Sequence, residues 1–198
     1  MKEKWNERFA GEEYIYGTKP NEFFKQNLQE LKPGKILLPA EGEGRNAVYA
    51  LKQAWEVMAF DFSDEGKRKA LLLAEKNQVE LDYHLLTWQT FSCMYCDFDA
   101  IGIFFFHLPE AQRRYFHQVV YDWLKPGGHL IAEFFSKKQF GMTSGGPQDT
   151  DLLYSVEELK KDFEQLEIQQ LEELEVVLNE GKGHQGEAWV IRLSATKK

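Results

Sequence analysis

A short glycine-rich loop between a strand-like run and a helix-like run constrains this chain more than any other feature. The run Lys35 to Leu38 precedes the sequence Gly42-Glu43-Gly44-Arg45-Asn46-Ala47, and a helical pattern continues to Gln53. Glycines in such a loop let the backbone approach a ligand closely. Asp61 ends the next strand-like run, where a carboxylate can accept hydrogen bonds from both ribose hydroxyls of an adenosine. These features together predict a nucleotide site.

Apolar runs alternate with helix-like stretches along the rest of the chain, which is typical of βαβ units and a mainly parallel sheet. No helical pattern separates the last two predicted strands, so we expect them to pair antiparallel. The expected fold is α/β, a Rossmann-like three-layer sandwich in one domain of 198 residues. The predicted strands are Lys35 to Leu38, Glu56 to Phe60, Val79 to Leu86, Ala100 to Phe106, His129 to Phe135, Glu172 to Leu178 and Ala188 to Leu193.

Charge and composition narrow the function. The net charge of −8 and the lack of a Lys/Arg cluster argue against a nucleic-acid partner. The polar first ten residues and the lack of an 18-residue apolar run predict a cytoplasmic protein with no membrane partner. Cys93 and Cys96 are interpreted as reduced thiols, with a redox pair or half a zinc site as alternatives. No His, Cys or carboxylate group has metal-ligand spacing, so no metal is expected.

The carboxylates of the loop distinguish between two nucleotide cofactors. Glu41 and Glu43 flank Gly42. Carboxylates there would oppose a diphosphate at the helix N-terminus but would tolerate a sulfonium and an ammonium. The chain is also short for a dinucleotide domain with a separate substrate domain. S-adenosylmethionine is therefore favoured over a nicotinamide dinucleotide.

Four segments carry a resemblance to a known family. They are Glu41 to Val48, Phe60-Asp61-Phe62-Ser63, Phe98-Asp99-Ala100-Ile101 and Leu124 to Ile131. On these segments the chain resembles the class I S-adenosylmethionine-dependent methyltransferases, in the bacterial group of tellurite-resistance and thiopurine methyltransferase-like enzymes. The resemblance implies a seven-stranded sheet with an antiparallel last strand.

The resemblance also implies which residues hold the cofactor. Ala40, Glu41, Gly42 and Gly44 would face its methionine part, Asp61 and Phe62 its ribose and adenine, and Phe105 with Phe106 the far wall. Leu38, Ala40 and Thr87 stand where relatives usually carry an acid, a glycine and an aspartate. The methionine ammonium and the adenine would then need other partners, for which Glu41 and a Thr87 or Trp88 contact are the candidates. Phe104 to Phe106 could equally be core.

Three segments are expected to form the acceptor side. One is an aromatic cap over residues 1–33, ahead of the core 34–198, with Trp5, Tyr14 and Tyr16 as candidate acceptor contacts; packing over the sheet is the alternative. The others are a lid over residues 136–154 and the loop Glu180 to Gly186. His107 and His184 are candidate general bases, although a structural role is the common use of histidine.

The predicted function is methyl transfer from S-adenosylmethionine to a small-molecule acceptor, with a thiol as the first candidate. A catalytically silent protein that binds the nucleotide or a partner is the alternative, and a nicotinamide-dependent reductase is a third. We expect a monomer or a weak homodimer.

Overall fold

The structure is a computed structural model that describes residues 2–92 and 96–198. The strands are β1 (Lys35–Pro39), β2 (Glu56–Asp61), β3 (Asp82–Leu85), β4 (Phe98–Phe104), β5 (Leu124–Phe135), β6 (Leu166–Glu180) and β7 (His184–Lys197). The helices are α1 (Lys2–Phe9), α2 (Glu22–Gln29), α3 (Arg45–Lys52), α4 (Asp64–Lys76), α5 (Glu110–Trp123) and α6 (Val156–Asp162).

The seven strands form one sheet in the order β3-β2-β1-β4-β5-β7-β6. β1 pairs with β2, β2 with β3, and β4 with β5 in parallel, whereas β5 and β7 are antiparallel. The core strands β1 and β4 are apolar because they are buried almost throughout. The predicted Rossmann-like α/β fold with its antiparallel last strand is confirmed.

Strand ends differ from the prediction where tertiary contacts decide them. β3 starts at Asp82 instead of Val79, because Val79 donates its backbone N–H to Ala74 at the end of α4 and packs against that helix. β5 starts at Leu124, ahead of the Pro-Gly-Gly turn, because Leu124 pairs with Phe98 before an irregularity in the register. β6 and β7 extend until only residues 181–183 separate them.

The chain divides into two compact units. The first unit is Met1–Met94 with Glu180–Gly183, and the second is Tyr95–Asn179 with His184–Lys198. The single domain with a cap over residues 1–33 stays a prediction.

Membrane-spanning helices and metal-binding clusters are both absent from the described residues. Within 2–92 and 96–198, no helix has the length and apolar character to cross a membrane. The same ranges contain no group of three His, Cys, Asp or Glu side chains suited to a metal ion. Cys96 takes part in a disulfide bond, so the expected reduced thiol is wrong at this residue; C-x-x-C thiols are readily oxidised. Cys93 lies outside the described residues.

Helix α4 shows how local sequence and packing combine. Ser63 caps it by accepting the Gly66 N–H at 3.0 Å, as its position predicts. The buried face is Gly66, Lys69, Ala70, Leu73 and Ala74. Leu71 is apolar but 39% exposed, because it lies about 100° around the helix from Ala70. The buried face thus includes one charged residue, Lys69, whose ammonium group lies beside the loop that follows β1.

Candidate functional site

The loop after β1, residues 40–46, is the glycine loop, and it is fixed through the backbone N–H and the backbone carbonyl of one residue, Gly42. Gly42 donates its N–H to Asp61 Oδ2 at 3.1 Å and accepts the Tyr83 hydroxyl at 2.7 Å on its carbonyl. Asp61 Oδ1 accepts the Ser63 N–H at 2.8 Å. Burial raises the Asp61 pKa, and these backbone hydrogen bonds oppose the increase. Asp61 thus ends β2 as predicted and also organises the loop.

Glu41 occupies the N-terminus of α3. Its Oε1 accepts the backbone N–H groups of Asn46 at 2.9 Å and Ala47 at 2.8 Å. These are the donors that a bound phosphate would use at this end of the helix. Burial raises the Glu41 pKa to about 7, while the two amides and Arg45 act in the opposite direction. The loop therefore carries its own acid where a dinucleotide would place its diphosphate.

Gly44 is required by packing as well as by backbone conformation. Its φ is 85°, and an added Cβ would lie 2.6 Å from the Ala70 Cβ on α4. Close approach to a ligand is the expected reason for this glycine, but the structure shows that α4 already needs the space. Ala40 also has a positive φ, of 52°, a backbone conformation that suits glycine better than alanine.

The N-terminal segment, residues 2–18, packs directly against the glycine loop. The Phe9 ring lies 3.4 Å from the Cβ position of Gly42. Asn6 accepts the Ser63 hydroxyl at 2.7 Å, which joins α1 to the start of α4. The segment therefore packs beside the loop, and its role as a cap over an acceptor site stays a prediction.

The three aromatic residues proposed for acceptor binding have different surroundings. Trp5 and Tyr16 both face the Arg8 guanidinium, at 5.5 and 5.4 Å from their ring centroids. Tyr14 donates its hydroxyl to the Lys69 carbonyl at 2.9 Å and packs against the cluster of Val48, Leu73 and Ala74. Because its ring and hydroxyl are both used inside the fold, Tyr14 is better assigned to packing than to an acceptor contact.

The residues proposed for the adenine lie beyond the ends of β2 and β3. Phe62 is half-buried, and Trp88 is buried. Thr87 forms a turn with Thr90, whose hydroxyl accepts the Thr87 N–H at 3.0 Å and lies 3.1 Å from the Thr87 hydroxyl. Their contact with a cofactor stays a prediction.

In the second unit, Phe105 and Phe106 follow β4 and point to different neighbours. Phe105 has a φ of 54°, an unfavourable value for an aromatic residue, and its ring lies 4.4 Å from the His184 ring. Phe106 packs edge-on against Phe116 at 5.2 Å. Phe106 is half-buried and Phe105 has the strained backbone conformation, and the contact of either residue with a cofactor stays a prediction.

The two histidines proposed as general bases are both inside the second unit. His107 Nδ1 donates to the Leu152 carbonyl at 2.6 Å, and its Nε2 accepts the Phe135 N–H at 3.2 Å. Burial lowers its pKa to about 3, so the ring is neutral. With both nitrogens used by the backbone, His107 has no position left for an acceptor proton, and the geometry argues against the predicted catalytic role. His184 is buried and begins β7, whereas a loop position was predicted.

The predicted lid over residues 136–154 is an ordered segment with two short 3₁₀ turns. The buried Gln139 side chain holds it, because its Nε2 donates to the Ser144 hydroxyl at 2.9 Å and its Oε1 accepts the Trp189 N–H at 2.8 Å. Movement of this segment stays a prediction.

The structural roles of several residues in the site were not predicted from sequence, although Glu43 and Glu180 lie in segments that were singled out. Tyr83, Glu43, Lys69, Arg45 and Glu180 all hold the glycine loop or the N-terminal segment. Lys69 could have been found, because its spacing places it on the buried face of α4. Tyr83 and Glu180 carry no local signal, since their partners are distant in sequence.

Comparison with known proteins gives a match to one family model. Residues 36–128 match the model of a family described as a methyltransferase domain. No curated protein matches the chain.

Three solved structures illustrate the similarity of fold. A protein solved in work on the conversion of a disulfide bond into a thioacetal group during echinomycin biosynthesis has a TM-score of 0.82 at 13% identity, over 100% of this chain and 92% of its own. TehB from Haemophilus influenzae has a TM-score of 0.73 at 15% identity, over 100% and 67%. The N-methyltransferase NodS from Bradyrhizobium japonicum, in complex with S-adenosylhomocysteine, has a TM-score of 0.69 at 12% identity, over 99% and 97%. The chain therefore has the fold of S-adenosylmethionine-dependent methyltransferases.

Proposed function

We propose that this chain is an S-adenosylmethionine-dependent methyltransferase that acts on a small-molecule acceptor. One observation carries the proposal. Glu41 accepts two backbone N–H groups at the N-terminus of α3 that have no partner within the helix, and the Asp61 carboxylate lies at the end of β2. This arrangement removes the phosphate position of a dinucleotide site and retains the ribose anchor. The fold and the family match of residues 36–128 support the reaction class.

The residues of the loop suit the charges of this cofactor. Glu41 Oε1 is used by the helix, and its second oxygen, on a half-buried side chain, is the acceptor for the methionine ammonium. Asp61 accepts the backbone N–H groups of Gly42, Ser63 and Phe62, and its two oxygens together offer about four lone-pair positions, which leaves room for a ribose hydroxyl. The cofactor supplies an activated methyl group, so the chain's task is to bind and orient the two reactants and to exclude water.

The acceptor we propose is small, partly apolar and a soft nucleophile, with a thiol as the first candidate. The chain's net charge of −8 disfavours polyanionic acceptors. A thiol ionises near neutral pH, so its methylation needs little help from a general base. His107 is neutral and fully bonded, which agrees with a reaction driven mainly by positioning. His184 stays the candidate for any proton transfer.

Methyl transfer can be tested with a panel of acceptors of equal size. Thiophenol, phenol and aniline would be incubated with S-adenosylmethionine and the purified protein, and S-adenosylhomocysteine would be quantified by mass spectrometry. We expect acceptor-dependent product, greatest with thiophenol. Binding of S-adenosylhomocysteine without turnover of any acceptor would contradict the proposal.

A catalytically silent binding protein is the second candidate, and one feature favours it. Leu38 is fully buried in β1 where relatives usually carry an acid, and Ala40 holds a conformation that suits glycine. Cofactor binding without turnover in the acceptor panel would favour this alternative.

A further inference from the structure

A buried ion pair connects the glycine loop to α4. Lys69 Nζ lies 2.6 Å from Glu43 Oε1, and the two side chains are 2% and 3% exposed. Removing two charges from water is costly, and a buried ion pair is often no more stabilising than an apolar pair of similar size. Fold stability alone therefore gives a weak reason for a charged pair at this position.

Both side chains of this pair also bind the backbone of the N-terminal segment, Glu43 through its second carboxylate oxygen and Lys69 through the other hydrogens of its ammonium group. Glu43 Oε2 accepts the N–H groups of Ile15 at 2.9 Å and Tyr16 at 3.4 Å. Lys69 Nζ donates to the carbonyls of Gly11 at 3.0 Å and Glu13 at 2.5 Å. Four backbone atoms within residues 11–16 are thus held by one ion pair.

The same stretch of chain is held on its other side by the β6–β7 turn. The Arg45 guanidinium donates to the Tyr16 carbonyl at 3.3 Å and to Glu180 Oε2 at 3.0 Å. Gly183 donates its N–H to the Ile15 carbonyl at 2.8 Å. Residues 11–16 are therefore fixed between the glycine loop and this turn.

We infer that Glu43 and Lys69 are positioning residues that hold residues 11–16 beside the glycine loop as a wall of the acceptor site. This inference rests on the proposed function. Glu43 lies between the two glycines of the loop, and Lys69 precedes Ala70, which contacts Gly44. The wall is thus attached to the elements that would bind the methionine part of the cofactor, next to the methyl group.

Coupling between the two ligands follows from this attachment. A cofactor seated on the glycine loop also orders Glu43, so it strengthens the docking of residues 11–16. By thermodynamic linkage, an acceptor that contacts these residues then favours cofactor binding to the same extent. Because the acceptor would contact residues 11–16 directly, whereas the cofactor is coupled to them only through the loop, loss of the ion pair should weaken acceptor binding far more than cofactor binding.

Four proteins test the inference. They are the wild type, Glu43→Gln, the double variant Glu43→Gln/Lys69→Met and the matched control Glu65→Gln/Arg68→Met. The control removes an exposed pair one residue away on the same helix, where Arg68 Nε lies 2.9 Å from Glu65 Oε2. The double variant removes both charges together, so that no unpaired charge stays buried.

The first measurement is amide hydrogen exchange of the peptide over residues 11–16, with and without S-adenosylhomocysteine. We expect exchange about tenfold faster in both Glu43 variants, and unchanged in the control. We also expect S-adenosylhomocysteine to slow this exchange in the wild type and not in the double variant. Wild-type exchange in the variants, or a double variant that does not fold, would overturn the inference.

The second measurement is the kinetics with thiophenol as the acceptor probe. In the double variant we expect the KM for thiophenol to rise about tenfold, with the S-adenosylhomocysteine affinity changed less than about threefold. Faster exchange with an unchanged KM would show that residues 11–16 do not border the acceptor. Lack of turnover in the wild type would instead count against the proposed function. The exchange measurement would still test whether Glu43 and Lys69 hold residues 11–16 in place.

Discussion

Gly44 shows how a single residue can serve the fold and the site together. We expect Gly44→Ala to lower the free energy of unfolding by about 2 to 4 kcal/mol, because it adds left-handed strain and a clash with Ala70. Gly141→Ala is the control, since Gly141 has the same φ of 85° with no atom within 4 Å of an added Cβ. Chemical denaturation would measure both. Equal losses in the two variants would remove the clash from the explanation, and Ala70→Gly should restore part of the loss in Gly44→Ala.

Glu41 predicts a dependence of cofactor affinity on pH. Its pKa is raised to about 7, and the charged groups that influence it are Arg45 and Asp61. Without cofactor, the stability linked to this carboxyl is complete below its unfolded pKa and is lost as the pH rises through 7. A bound ammonium favours the carboxylate, so S-adenosylhomocysteine should bind more tightly at pH 8 than at pH 6.

The Glu41→Gln variant provides the check on this prediction. Its amide cannot ionise, so calorimetric titration should show weaker binding and a smaller difference between pH 6 and pH 8. An equal pH dependence in wild type and variant would assign the titration to another group.

Asp61 is expected to contribute to the cofactor site in two ways, directly through the ribose and indirectly through the loop. Asp61→Asn places an amide N–H₂ against one of the N–H groups that the carboxylate now accepts. We expect S-adenosylhomocysteine affinity to fall by about 1.5 to 3 kcal/mol, the scale for a hydrogen bond to a charged group. Asp82→Asn, at an exposed residue of β3, should have no effect. Unchanged affinity in Asp61→Asn would exclude Asp61 from the site.

At the scale of elements, the turn between β6 and β7 is expected to control the N-terminal segment. Gly181 has a φ of 66°, and an added Cβ would lie 2.5 Å from the Ile15 carbonyl oxygen and 2.5 Å from the Gly17 nitrogen. We expect Gly181→Ala to make residues 11–18 more sensitive to limited proteolysis. Gly127→Ala is the control: Gly127 has a φ of 78°, so the substitution adds comparable backbone strain, but no atom lies within 4 Å of the added Cβ. This variant should leave residues 11–18 as resistant to proteolysis as in the wild type. Equal cleavage in the two variants would contradict the claim that the β6–β7 turn holds the N-terminal segment in place.

Elements with a strong local pattern could be predicted from sequence, and their ends could not. The run before Gly42 and the run ending at Asp61 identify β1 and β2, because burial on both faces leaves an apolar signature. β3 is shorter than its apolar run, since Val79 is used to end α4. The site divides in the same way: Gly42 and Asp61 follow from spacing, whereas Tyr83 joins the loop only through tertiary structure.

At the scale of the whole molecule, the sheet order and the net charge both bear on which ligands the chain can bind. The order β3-β2-β1-β4-β5-β7-β6 brings the carboxyl ends of β1 and β2 to one edge, where open α/β sheets bind ligands. The charge of −8 disfavours polyanionic substrates. A small cationic cofactor and a small acceptor fit both properties.

The central claim is that the glycine loop binds a sulfonium nucleoside and rejects a diphosphate, because Glu41 already occupies the amides of α3. Isothermal titration calorimetry of the wild-type protein with S-adenosylmethionine and with ADP-ribose tests it most directly. We predict that S-adenosylmethionine binds at least about a hundredfold more tightly, a difference of about 2.7 kcal/mol. ADP-ribose binding with equal or greater affinity would contradict the account.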